Sequence, residues 1–182
     1  MKAQRALGGI VAAVALAAVG CASAPKSQAQ RSQLQDDARH AMQAMTAKDA
    51  SVQPLIDQSA GYIVFPEVKE GGFIVGGAGA RGVAFDRSGQ FLGFAELSRA
   101  SVGAQVGGQK YAELIVVRDR FTLDKILAGG FDFGAGASAV ILREGAATAT
   151  QFGENGVAVV VDPIAGAMVN VSLSGQQIKR TM

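Results

Sequence analysis

The hydrophobic positions of this chain change period twice. From Leu7 to Val19 small and aliphatic residues run on without a charge. From Gln33 to Lys48 apolar residues recur at helical spacing, at Leu34, Ala38, Ala41, Met42 and Met45, with Asp36, Asp37, Arg39 and Lys48 elsewhere around the turn. This spacing predicts an amphipathic helix over 33–48. A second, short helix is predicted over 51–59, with Ser51 as its cap and Pro54 in its first turn, where a missing N–H is tolerated.

Beyond residue 60 the period drops to two. The strand-like runs are "YIVFP", stopped by Pro66, then "GFIVGGAG", "GVAFD", "FLGFAEL", "ASVGAQVGGQ", "YAELIVV", "FDFGAGASAVIL", "GVAVVVD" and "GAMVNVSLSG". Arg87 to Gln90 reads as a turn. "TLDKILAG" is the one helical interruption, with Thr122 as its expected N-cap and Gly129 or Gly130 as its stop. Roughly eight to ten strands with few helices between them predict an α+β domain, mainly antiparallel. The expected architecture is a glycine-rich, curled or closed, barrel-like sheet with N-terminal amphipathic helices and one inserted short helix.

Gly77 to Gly82 spells G-x-G-x-x-G. A dinucleotide site needs a strand, a glycine turn and then a helix whose N-terminus holds the pyrophosphate. Here Gly82 is followed by "VAFDRSGQFLGF", which is strand, turn and strand. "GAQVGGQK", Gly103 to Lys110, lacks the Lys-Ser/Thr pair and the helix of a P-loop. The glycines are therefore expected to serve close backbone approach or sharp coiling. Gly72, Gly76, Gly77, Gly79 and Gly82 are the positions expected to serve that role, and Gly79→Val is expected to destabilise.

Composition changes the picture at the N-terminus. Lys2 and Arg5 precede the apolar run, which falls short of the ~20 residues of a spanning helix and has the flanks of a cleaved signal. Ala18-Val19-Gly20-Cys21 resembles the lipobox of bacterial lipoproteins. That resemblance implies cleavage before Cys21, the only cysteine, and a covalent lipid on it. Ala22 in the next position, where Asp often signals inner-membrane retention, favours the periplasmic face of the outer membrane. The expected organisation is a signal peptide at 1–20, a flexible tether at 21–33 and one domain at 34–182. Lys2 and Arg5 are two of the 17 basic residues, and the segment holds none of the 15 acidic ones, so the charges beyond residue 20 balance. That balance gives no basic excess for a nucleic-acid partner.

No catalytic constellation is apparent. His40 is the only histidine and sits on the first predicted helix, where packing or solvent accounts for it. Ser98, Ser101 and Ser138 lack a nucleophile elbow and a histidine. One histidine and one cysteine do not make a common zinc site, and no cofactor is expected. Lys69, Arg81, Arg87, Arg99, Lys110, Arg118, Arg120 and Lys125 are the candidates for a basic surface, with Arg118, Arg120 and Lys125 the densest group.

"GYIVFP" at Gly61–Pro66, "GGFIVGGAGARGV", "SRASVGAQVGGQ" at Ser98–Gln109, "LIVVRD" and "FDFGAGASAV" occur in an order and spacing that resemble the SYLF domain. The likeness covers about 34–182. It implies phospholipid or phosphoinositide binding without enzymatic activity, through an N-terminal amphipathic helix and basic surface residues. The residues expected to contact lipid in this chain are Arg118, Arg120 and Lys125 with the Met42/Met45 side of the first helix, whose methionine stripe reads first as core packing and alternatively as a membrane-contacting face. The alternative is an envelope lipoprotein of structural or protein-interaction role, whose only membrane affinity is its lipid anchor. The protein partners are not legible.

Overall fold

The computed structural model describes residues 25–103, 108–133, 137–142, 151–165 and 175–181. Cys21 and the apolar run before it lie outside these residues, as does most of "GAMVNVSLSG". The elements are α1 (Gln28–Lys48), α2 (Val52–Asp57), β1 (Gly61–Asp86), β2 (Phe91–Gly103), β3 (Gly108–Val117), α3 (Arg120–Leu127), β4 (Ser138–Ile141), β5 (Val157–Ala165) and β6 (Gln176–Thr181). The strands form one six-stranded sheet in the order β4-β5-β3-β1-β2-β6. Every pairing is antiparallel except β4 with β5. The domain is thus α+β with a mainly antiparallel sheet. The order ends at β4 and β6, so among the described residues the sheet is not closed into a barrel.

Two expected boundaries move. The tether was expected to reach residue 33, yet α1 begins at Gln28. Ser27 caps it: its hydroxyl accepts from the Gln30 backbone N–H, while the Gln30 side chain accepts from the Ser27 N–H. This reciprocal box satisfies donors that the helix start otherwise leaves open. The third helix is capped by Asp119 rather than Thr122, because the Asp119 carboxylate accepts the Thr122 N–H at 2.8 Å. That bond holds the Asp119 carboxyl below the ordinary carboxylate range. Its contribution is therefore present above the unfolded-state pKa and is lost as pH falls through the depressed folded value. Asp119→Ala is expected to cost about 1 kcal/mol, read as a lower thermal midpoint at neutral pH, with a smaller difference in acid.

The runs on either side of Pro66 belong to a single strand of 26 residues. Pairing with β3 shifts register between Phe65 and Val68, so Pro66 sits in the irregularity, where its missing donor breaks no ladder. The first part of β1 pairs with β3 and the second with β2. The strand bends until its ends face one another. A Cβ built on Gly82 would lie 2.4 Å from the Val64 carbonyl oxygen, and one on Gly61 would lie 2.6 Å from that of Phe85. Close approach is therefore required at Gly82 and Gly61. Gly82 is one of the glycines expected in this role; Gly79, expected beside it, is corrected, since its Cβ would meet only the Leu97 carbonyl at 4.0 Å. The G-x-G-x-x-G lies wholly within β1, and no helix opens after it.

Apolar layers cover both faces of the sheet. On one, α1 and α2 pack Ala38, Met45, Val52, Leu55 and Ile56 onto Tyr62, Val64, Val83, Phe85, Leu114 and Val116. On the other, Leu123, Ile126 and Leu127 of α3 join Phe133, Phe65, Leu97, Ile115, Val159 and Ile178. Lys48 at the end of α1 meets Asp162 of β5 at 2.6 Å and fastens the helix across the sheet.

Candidate functional site

The bend of β1 decides which connections meet. Gly61 opens β1 opposite Val117, the last residue of β3, and also lies against Phe85 and Asp86 at the far end of β1. The segment after α2, the β1–β2 turn and the β3–α3 link are thereby drawn to one end of the sheet. They line an open groove of about 680 Å³ with Gln58, Ser59, Ala60, Asp86, Arg87, Ser88, Arg118, Asp119 and Arg120. The sequence expectation placed Arg118 and Arg120 together. The fold adds Arg87 from a turn distant along the chain.

The acidic side chains of the groove are committed to backbone geometry. Asp86 accepts from the Ser88 hydroxyl at 2.6 Å and the Gln90 N–H at 2.9 Å. Those bonds hold its carboxyl below the ordinary range. Asp119 caps α3. Arg120 pairs with both carboxylate oxygens of Asp124, at 3.0 and 3.1 Å, in an exposed geometry of small energetic value. Arg118 lays its guanidinium 4.5 Å from the centre of the Phe152 ring. Among the described residues Arg87, Arg118 and Lys125 form no ion pair. Phe121, next to Arg120, is 79% exposed, and Lys125 lies one turn further along α3. The groove thus offers three arginines, and Phe121, which follows Arg120 in the chain, stands in solvent.

Met42 and Met45 do not join this surface. Met45 is fully buried and Met42 packs against the same cluster, because the apolar stripe of α1 faces the sheet. The methionine stripe is core, the first of its two readings from the sequence, and the alternative of a lipid-contacting face is corrected. Arg99 also leaves the expected basic surface. It is buried, with five other polar side chains, on the α3 side of the sheet.

That interior cluster was missed in the sequence. Glu70 Oε2 accepts from Arg99 Nη2 at 3.1 Å, Gln109 Nε2 at 2.9 Å and the Tyr111 hydroxyl at 3.1 Å. The Arg99 guanidinium also donates to Tyr111 Oη and, at 3.0 Å, to Gln176 Oε1. Gln176 Nε2 in turn donates to Glu113 Oε1 at 2.6 Å. β3 and β6 are separated in the sheet by β1 and β2, so this last bond spans the inside of the bend. Period-two alternation was the available signal: Tyr111, Glu113, Ile115 and Val117 share one face, and so do Leu97 and Arg99. No protein-family model matches this chain, and no curated protein matches it.

Proposed function

We propose that this chain is a lipid-anchored protein of the bacterial cell envelope whose domain binds membrane phospholipid without catalysing a reaction. In this reading residues 1–20 are a signal peptide, Cys21 carries the covalent lipid, and the domain lies at the periplasmic face of the outer membrane. The bent, glycine-containing sheet serves as a barrel-like body that presents the groove. The observation that carries the lipid-contact part is the convergence of Arg87 with Arg118 and Arg120 from two separate segments, with the exposed Phe121 next to Arg120 in the chain. Guanidinium groups suit phosphate oxygens, and an aromatic ring suits the boundary between headgroup and acyl chain. Anchoring raises the effective concentration of such a weak second contact. The resemblance to SYLF domains points to the same ligand class.

A second reading keeps the anchor and drops the contact. Asp86, Asp119 and Asp124 stand among the arginines, so the domain could serve as a structural or protein-interaction module held at the membrane by its lipid alone. Flotation of residues 22–182 on vesicles separates the two. Phosphatidylcholine vesicles with and without anionic lipid are compared at low and high salt. The first reading expects salt-sensitive binding to anionic vesicles, because surface contacts are screened within ~10 Å at 0.1 M salt. Arg118→Glu with Arg120→Glu is expected to weaken it by about tenfold or more, taking ~1 kcal/mol per basic residue at an anionic surface. Absence of flotation on every composition leaves the second reading.

A further inference from the structure

The interior cluster sets two carboxyl groups against one cation. Glu70 and Glu113 face it from β1 and β3, Arg99 from β2, and Tyr111 from β3; Gln109 and Gln176 supply amides from β3 and β6. Glu70 accepts three donors on one oxygen, one of them from its ion-pair partner Arg99. Glu113 is fully buried and receives one amide donor, and its Oε2 has no hydrogen-bond partner among the described residues. An ionised Glu113 would be a second buried anion with no cation of its own. Such a charge is costly to bury even after the surroundings relax.

We propose that Glu113 keeps its proton at neutral pH and that losing it opens the β6 edge, so the interior cluster is a proton-controlled latch. β6 is the element that yields. It has six residues, and among the described residues it ends the sheet, with β2 as its one strand partner and a single bridge from Ala128. Its Gln176 is also the hydrogen-bond partner of Glu113, so water drawn to an ionised Glu113 enters where β6 crosses the bend. The release would reach α3, since Ala128 bridges to Lys179 on β6. Burial raises the Glu113 carboxyl above the ordinary carboxylate range; Arg99 and the Gln176 bond oppose this, and Glu70 adds to it. For a raised acid, the stabilising contribution is complete below the unfolded-state pKa and is lost as pH rises through the folded one.

The test is hydrogen exchange of the Gln176–Thr181 segment in the full-length protein, with protection corrected for intrinsic base catalysis. In the parent chain, protection is expected to fall by up to about tenfold per pH unit between the unfolded-state and folded-state pKa values of Glu113 and to level off above the folded one, because opening is coupled to loss of its proton in that window. In Glu113→Gln, an isosteric neutral side chain, it is expected to stay flat. Equal pH dependence in the two chains overturns the proposal. Infrared spectroscopy of the parent chain in D₂O needs no variant: a carboxylic-acid carbonyl band at neutral pH supports the protonated Glu113. If that band is absent, the proposal fails, even where the substitution prevents folding.

Discussion

Gly82→Ala is expected to destabilise the domain by about 1–3 kcal/mol, and Gly82→Val by more, as overpacking of a filled interior does. The added Cβ would stand 2.4 Å from the Val64 carbonyl oxygen and 2.5 Å from Cδ1 of Phe65. The nearest atom belongs to backbone, so no rotamer change relieves the clash, and Phe65 is itself fully buried. One end of β1 would have to retreat from the other. Gly79→Val is the control. It lies in the same strand and G-x-G-x-x-G, and its Cβ has ordinary space. Urea unfolding midpoints check this, and equal losses at the two positions would refute the steric account.

Arg99→Met is expected to cost about 3–5 kcal/mol, the range for removing one partner of a buried ion pair. The substitution keeps much of the side-chain volume and removes donors to Glu70, Tyr111 and Gln176 together. Glu70 would then retain only Gln109 and the Tyr111 hydroxyl against its charge. Arg99→Lys is expected to recover only part of the loss, because one ammonium does not reproduce a fork that reaches both Glu70 and Gln176. Arg99→Met combined with Glu70→Gln should cost less than the sum of the single changes, since the remaining anion is gone. A double-mutant cycle by chemical denaturation measures the coupling, and strict additivity would show that the pair is not an energetic unit.

The sequence made the class of fold legible where the period was sustained. The α1 stripe, the alternation in "YAELIVV" and the turn at Arg87–Gln90 each appear where the pattern places them. Boundaries failed where polar residues carried the signal. The start of α1 depended on Ser27 and Gln30, within a stretch whose small polar composition suggests a tether. β6, "QQIKRT", was not anticipated because only Ile178 marks it as a strand, while its other inward residue is Gln176. Joining the runs around Pro66 into one strand required a register irregularity that composition does not encode. For the groove, Arg118 and Arg120 were legible as neighbours in the chain. Arg87 was not distinguished from other surface charges, because its place depends on the bend of β1. The buried cluster needed the same bend: its polar residues come from four strands and meet only once the sheet curls.

The bond from Gln176 to Glu113 spans 63 positions, and that from Arg99 to Gln176 spans 77. Such separations imply high contact order and hence slow folding. They also fix an order of events during synthesis. Glu70, Arg99 and Glu113 all leave the ribosome well before Gln176, so a nascent chain holding β1 to β5 still has Glu113 without its amide donor. The apolar strands can collapse at that stage, but the cluster reaches its hydrogen-bonded form only when β6 arrives. Completion of this domain is therefore expected only after β6 has emerged, with the earlier strands exposed to chaperones until it crosses the bend.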